Sequence, residues 1–234
     1  MGGHFYWRTE KIMKKLAFIT ASLAILGAAN ADILGGWTFE SYTAPTGTFL
    51  TQSVAADQGA GTLTGTHAAL STFSTPAGNG SIKSFSSNAW AVGDYYQATV
   101  STVGFQGVMF NFDQTGSNTG PRDWAVSYST DGVNFTSFAT YSIVNVPSWS
   151  SATNQPAYTK SFDLSGVTAL NNQASVTLRI AVATTTSING GTVASGGTSR
   201  VDNVQVHAAP VPEPATMAVL GLGLAALVRR RRAN

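Results

Sequence analysis

Between Asp32 and Ala209 the side chains able to do acid–base or metal chemistry are few: nine carboxylates, two histidines (His67 and His207) and no cysteine. Thiolate catalysis and cysteine-ligated metals are therefore excluded. Glycoside hydrolysis needs two carboxyls about 5 to 9.5 Å apart. Asp113 with Asp123 is such a pair in principle, but scattered aspartates read first as turn residues. HExxH, Walker and GxSxG motifs are absent, and the isolated histidines leave a serine triad very few possible bases. No catalytic residue is assigned on this basis. The aromatic side chains offer binding chemistry instead, because Trp and Tyr present flat apolar faces on which sugar rings stack. Trp149, in "NVPSWSSATNQP", and Trp90, just ahead of Gly93-Asp94, fall in segments of loop or turn composition and are the candidate ligand-binding residues. Trp37 and Trp124 fall within strand patterns and read as core. Adjacent Tyr95 and Tyr96 must point to opposite faces of a strand, so at most one of them serves a surface.

The elements that hold these residues read as strands throughout. The 234 residues are 43% apolar and only 10% charged, so Ser, Thr, Asn and Gly must supply the polar surface. Ser, Thr and Asn compete for backbone hydrogen bonds and Gly loses entropy in a helix, which disfavours helices. Alternating or β-rich runs occur at 37–42, 81–85, 95–103, 105–112, 124–129, 135–141, 158–164, 175–182 and 200–207. Asp131-Gly132, between two such runs, is a hairpin signal, because both residues tolerate the positive φ of a tight turn. "FDLSGVTAL" offers a single helical turn at most. The polar stretch Thr184–Ser199 has too little apolar content to fold alone and reads as a mobile or ligand-covering loop. The fold class that follows is all-β, an antiparallel two-sheet sandwich with one core.

The two ends carry a different signal. Met13, Lys14 and Lys15, the apolar run Leu16–Gly27 and the small-x-small site Ala29-Asn30-Ala31 make a signal peptide, a helix removed by signal peptidase so that the mature chain begins at Asp32. This signal is complete from its own methionine, so Met13 is the expected start of translation. At the other end, Pro212 and Pro214 break any helix arriving from the body, Ala215–Val228 is apolar, and Arg229, Arg230, Arg231 and Arg232 follow. The apolar run is short of the roughly 20 residues that span a bilayer core, but snorkelling arginines allow it to insert as a short transmembrane helix with the arginines on the cytoplasmic side. Gly221-x-Gly223-x-x-Ala226 matches a dinucleotide fingerprint only formally, since no strand precedes it. Three segments follow: 1–31, 32–209 and 210–234. The net charge of +2 for the whole chain resides in the ends; the middle segment has five basic against nine acidic side chains, a net −4. No basic stripe remains there for nucleic acid.

The order Val211-Pro212-Glu213-Pro214, apolar helix, arginine cluster resembles the PEP-CTERM sorting signal of Gram-negative bacteria. That resemblance implies processing near Val211–Pro214 by a membrane-embedded exosortase, transient residence in the inner membrane, and a host that makes extracellular polysaccharide. A second resemblance rests on "WTFESY", "WAVSYSTDGVNF", "FDLSGVTALNNQASVTLRI" and "SRVDNVQV", which together look like jelly-roll domains of secreted bacterial proteins, including carbohydrate-binding modules. In many such modules a structural calcium joins the first strand to the last. By position that implies Glu40 and Asp202, with Asn203 helping to complete the oxygen ligands; no other cofactor is implied. The expected protein is thus exported and sorted to the cell surface, outer envelope or extracellular matrix, and non-catalytic, binding or forming part of the exopolysaccharide or biofilm. A secreted hydrolase of matrix polysaccharide and a purely structural surface protein are the alternatives.

Overall fold

The computed structural model describes residues 31–144 and 149–212, together with Gly221 and Gly223. Ala29, Glu213, Pro214 and Arg229–Arg232 lie outside the described residues, as do the signal and tail helices read from the sequence. Among the described residues no helix is long and apolar enough to cross a membrane.

Thirteen strands follow one another with two short 3-10 turns: β1 (Asp32–Trp37), β2 (Phe49–Ala55), β3 (Gln58–Gly59), β4 (Thr62–Ser71), β5 (Phe73–Ser74), β6 (Phe85–Ser87), β7 (Tyr95–Val100), β8 (Phe105–Gly116), β9 (Asp123–Ser129), β10 (Thr136–Ser142), β11 (Thr159–Asp163), β12 (Val176–Val182) and β13 (Ser199–Pro210). They form two antiparallel sheets. The seven-stranded sheet runs β11-β8-β13-β1-β3 with β6 paired to β13 and β5 to β6, and the six-stranded sheet runs β10-β9-β12-β7-β4-β2. Alternation turns Val108, Phe110 and Phe112 of one sheet and Tyr96, Trp124 and Leu178 of the other into a shared core, each at most 2% exposed. This is the jelly-roll-like sandwich that the sequence pattern predicts.

Differences from the sequence reading have local causes. The run 37–42 is not a strand: β1 precedes it and ends at Trp37, after which Phe39 adopts φ 63°, and the run 81–85 gives only Phe85 to β6. Asp57 then caps the strand end, accepting from Thr38 N (2.9 Å) and Oγ1 (2.6 Å). Strand β4 is rich in Thr and Ala, and β2 buries only Val54, so their alternation is faint in sequence. The Asp131-Gly132 turn does join β9 to β10, with Gly132 at φ 75°. The helical turn in "FDLSGVTAL" is the 3-10 turn Thr168–Leu170. The Thr184–Ser199 loop is hydrogen-bonded to the turn before β9, through Ile188 N to Gly120 O, Asn189 N to Asn118 O and Ala194 N to Thr119 O.

The strand directions give the sandwich two distinct ends. At one lie the β7–β8 turn (101–104), the β9–β10 hairpin (130–135) and the start of β12. Both chain ends of the domain leave here: Asp32 pairs with Ala208, Pro210 pairs with Phe105, and Val211 N donates to Gly104 O at 2.8 Å. The opposite end gathers the turns at 88–94, 117–122 and 183–198.

Candidate functional site

On the outer face of the seven-stranded sheet, β8 and β13 set Asp113 opposite Asp202 and Thr115 opposite Arg200. An exposed sheet face would leave these carboxylates in water. Instead the segments 76–84 and 149–158 roof them, joined to each other through Gly80 N to Ser150 O (3.0 Å) and Gln155 N to Asn79 Oδ1 (2.7 Å). Asp202 Oδ2 accepts from Asn79 N (2.8 Å) and Ser81 Oγ (2.6 Å), and Oδ1 from Asn203 N (2.8 Å). Asp113 accepts from Asn79 Nδ2 (2.9 Å), Asn203 Nδ2 (2.9 Å) and Thr159 Oγ1 (2.6 Å). Asp202 is fully buried, and that desolvation pushes its carboxyl up to about 6 against the pull of its hydrogen bonds.

The residues expected to hold calcium meet this cluster unequally. A Cβ built on Gly78 would lie 1.9 Å from Ser81 Oγ, 2.3 Å from Asp202 Oδ2 and 2.4 Å from Lys83 O. Three oxygens thus crowd a residue that must be glycine, and Ser81 Oγ lies within hydrogen-bond distance of both Asp202 Oδ2 (2.6 Å) and Lys83 O (3.1 Å). Glu40 is exposed and reaches the same turn, accepting from Lys83 N at 3.0 Å. Asn203 faces the carboxylates with N–H groups, so as oriented it donates and does not present an oxygen ligand. Asp202, Ser81 and Lys83 O are the oxygens nearest one another here, three against the six to eight that calcium takes.

The two expected sugar platforms are covered. Trp149 is 6% exposed, edge-on to Tyr158 at 5.4 Å, with the Arg200 guanidinium 6.0 Å from its ring. Its segment has loop composition, as the sequence indicates, but the loop folds back as part of the roof. Trp90 is 5% exposed and packs against His67 (4.2 Å) and Trp124 (5.2 Å) in the core. Neither ring has a free face.

His67 belongs to an array that sequence spacing does not reveal. Its Nδ1 lies 3.1 Å from Asp94 Oδ2 and its Nε2 2.9 Å from Ser87 Oγ. The carboxylate can only accept, so Nδ1 carries the hydrogen and Nε2 accepts from Ser87. This is the connectivity of a serine triad, yet the three residues are at most 3% exposed, and Ser87 Oγ meets Tyr96 Oη rather than solvent. Burial holds the imidazole below its usual range, partly offset by Asp94. In this conformation the array clasps β4 of one sheet to β6 of the other.

The outer face of the six-stranded sheet is open. Cross-strand register aligns Ser53, Thr64, Gln97, Arg179, Ser127 and Ser137 in one row across all six strands. Parallel rows hold Thr62, Thr99 and Thr177, and Thr66, Tyr95 and Ala181. Hydroxyls meet across strands, as in Ser53 with Thr64 (3.1 Å) and Thr99 with Thr177 (3.2 Å). At the centre Arg179 is stacked between Tyr95 and Phe135, its guanidinium carbon 3.9 and 3.6 Å from the ring centroids. Nε and Nη2 both donate to Gln97 Oε1 (3.0 and 2.7 Å). Partial burial lowers the guanidinium's pKa. Tyr95 is thus the surface member of its pair and Tyr96, 1% exposed, the core member. Arg179, Gln97 and Phe135 carry no sequence signal of their own; register alone brings them together.

Residues 210–232 match the PEP-CTERM protein-sorting motif. The chain is accordingly an exported, exosortase-processed cell-surface protein. Among solved structures, the tandem CBM22 domains of Paenibacillus barcinonensis Xyn10C align at 13% identity over 80% of this chain and 49% of that one, with a TM-score of 0.42. The K1 cleaved adhesin domain of Lys-gingipain from Porphyromonas gingivalis W83 aligns at 15% identity over 76% of this chain and 98% of its own, with a TM-score of 0.38. A CBM61 domain in complex with β-1,4-galactotriose aligns at 13% identity over 74% and 93%, with a TM-score of 0.29. No curated protein sequence matches the chain.

Proposed function

We propose that this exported protein binds extracellular polysaccharide on the outer face of its six-stranded sheet and carries out no catalysis there. The observation that carries the reading is the Arg179 clamp: two aromatic rings and a fixed guanidinium set in a row of hydroxyl and amide side chains. Sugars combine apolar ring faces with hydroxyl edges, and such a surface offers partners for both. The setting is export from a Gram-negative cell, with signal peptidase and exosortase as processing partners and the inner membrane as a transient one. The matrix or biofilm is where the mature domain works.

Affinity electrophoresis of the mature domain through gels containing the host's exopolysaccharide tests this. Retardation that falls about tenfold in Arg179→Ala and in Tyr95→Ala is expected, the order of a few contacts worth about 1.4 kcal/mol. Equal retardation of wild type and both variants would place the site elsewhere. The hydrolase alternative has one observation in its favour, the Asp94–His67–Ser87 array; release of reducing ends or acyl groups that disappears in Ser87→Ala would make it the better reading.

Calcium is read as a structural ion held by Asp202, Ser81 Oγ and Lys83 O, with Glu40 beside them. Saturating calcium then raises the melting temperature of the mature domain relative to EGTA, and Asp202→Asn removes the difference. Identical melting with calcium and with EGTA would end this reading.

A further inference from the structure

We propose that the folded domain stands end-on to the membrane before processing, with the β7–β8 turn facing the bilayer and the 88–94 turn facing away. The sorting motif is not separated from the fold by a linker. Pro210, its first matched residue, is the last residue of β13, paired with Phe105, and Val211 N is bonded to Gly104 O at 2.8 Å. The apolar run of the tail begins at Ala215. Four residues from Val211 reach at most about 14 Å when fully extended. The tether leaves from β13 in the seven-stranded sheet, so with sheets packed about 10 Å apart it is too short to round the sandwich and set the six-stranded face on the bilayer. The roof of 76–84 and 149–158 stands on the other outer face, which leaves the end from which the tether emerges to lie beside the bilayer.

A second tether reinforces the first. Asp32, the expected mature N-terminus, pairs with Ala208 on the neighbouring strand, so a chain still carrying its signal segment is held twice at the same end. Charge does not set this orientation. The strand ends and turns there (31–32, 56–61, 101–104, 130–135, 163–175 and 210–212) hold Asp32, Asp57, Asp131 and Asp163 and no Lys or Arg. With no basic side chain at that end to attract a lipid headgroup, the covalent tether imposes the geometry.

The chain contains no cysteine, so single thiols report position cleanly. Val103 in the β7–β8 turn is 59% exposed and Val92 at the far end 54%, so neither substitution disturbs packing. The full chain, produced in cells whose exosortase is inactivated so that the tail is retained, is labelled in spheroplasts with a bulky membrane-impermeant maleimide. Val92→Cys should react about tenfold faster than Val103→Cys, and detergent solubilisation should equalise them. A spacer of about twenty Gly/Ser residues after Val211, with a root-mean-square reach of ~25 Å, should equalise them in the membrane too. Equal rates in the membrane without the spacer would overturn the proposal, as would a difference that persists in detergent. Should Val103→Cys fail to fold, Val133→Cys, 79% exposed in the β9–β10 hairpin at the same end, makes the same measurement.

Discussion

The two outer faces of the sandwich use similar polar side chains in opposite ways. On the seven-stranded sheet, Asp113 and Asp202 lie under a roof and their hydrogen bonds go to Asn79, Ser81, Asn203 and Thr159. On the six-stranded sheet, Thr64, Gln97, Arg179 and Ser127 stand in an uncovered row. The roofed face pairs its two carboxylates with protein donors, while Trp149 Nε1 and Arg200 Nε are buried without a partner among the described residues; the open face leaves part of its hydrogen-bonding capacity to whatever solution brings. At the second face a ligand meets side chains that water also reaches, whereas at the first it must displace buried protein partners whose loss costs about 1–3 kcal/mol each.

The sharpest way to break this contrast is to remove a roof residue. Trp149→Ala should cost about 3–5 kcal/mol of stability in denaturant titration, as for a buried aromatic, and leave polysaccharide retardation of the folded fraction unchanged. Loss of binding without loss of stability would show the roof to be a platform after all. Next in size is the pH dependence. With Asp202 raised to about 6 in the fold, against a usual 3.8, the folded state binds the proton more tightly than the unfolded state. The contribution of Asp202 to stability should therefore be full below pH 4 and fall by about 2–3 kcal/mol as pH rises through 6. In Asp202→Asn the slope over that window should vanish. A slope that survives the substitution would move its origin to another group.

Gly78→Ala should cost about 1–3 kcal/mol, because its methyl group would collide with Ser81, Asp202 and Lys83 O. Calcium binding should be lost with it. On the open face the effects on stability are smaller. Arg179→Ala should lower stability by no more than about 1 kcal/mol, the scale of a partly exposed cation–π stack, although it weakens binding. Smallest of all is Asp131→Ala in the hairpin that carries Phe135. Asp131 accepts from Val133 N (2.9 Å) and Asn134 N (2.8 Å), and its carboxyl is held far below the usual range chiefly by Asn134. Its loss should slacken the hairpin, so binding should weaken severalfold at nearly constant stability. Unchanged binding would release Phe135 from the proposed site.

Much of the architecture can be read along the chain because burial leaves a period-two pattern wherever bulky residues supply it. Val108, Phe110 and Phe112 make β8 legible, and Asp131-Gly132 makes its hairpin legible. The threonines and alanines of β4 do not announce their face, and Phe39 stops β1 by a backbone conformation that composition does not encode. The candidate sites are harder still. His67, Ser87 and Asp94 are linked across the gap between sheets, and Arg179 meets Phe135 and Tyr95 through register and a hairpin. Trp149 shows the converse error, in which a segment has the composition of an exposed loop but packs as a cover.

The pairing of β1 with β13 has a kinetic meaning. Asp32 finds its partner in Ala208, near the other end of the domain, and β13 lies between β1 and β8. A chain threaded across a membrane from its N-terminus cannot close this sheet until nearly all of it has crossed. Pairings of such long range are slow to form, so the earlier strands must wait with open edges. The strand that completes the fold is also the one that leads into the sorting motif. Completion of folding and arrival of the address label at the membrane are thus successive moments of one event, and a chain stalled before β13 has neither a finished sheet nor a label to be read.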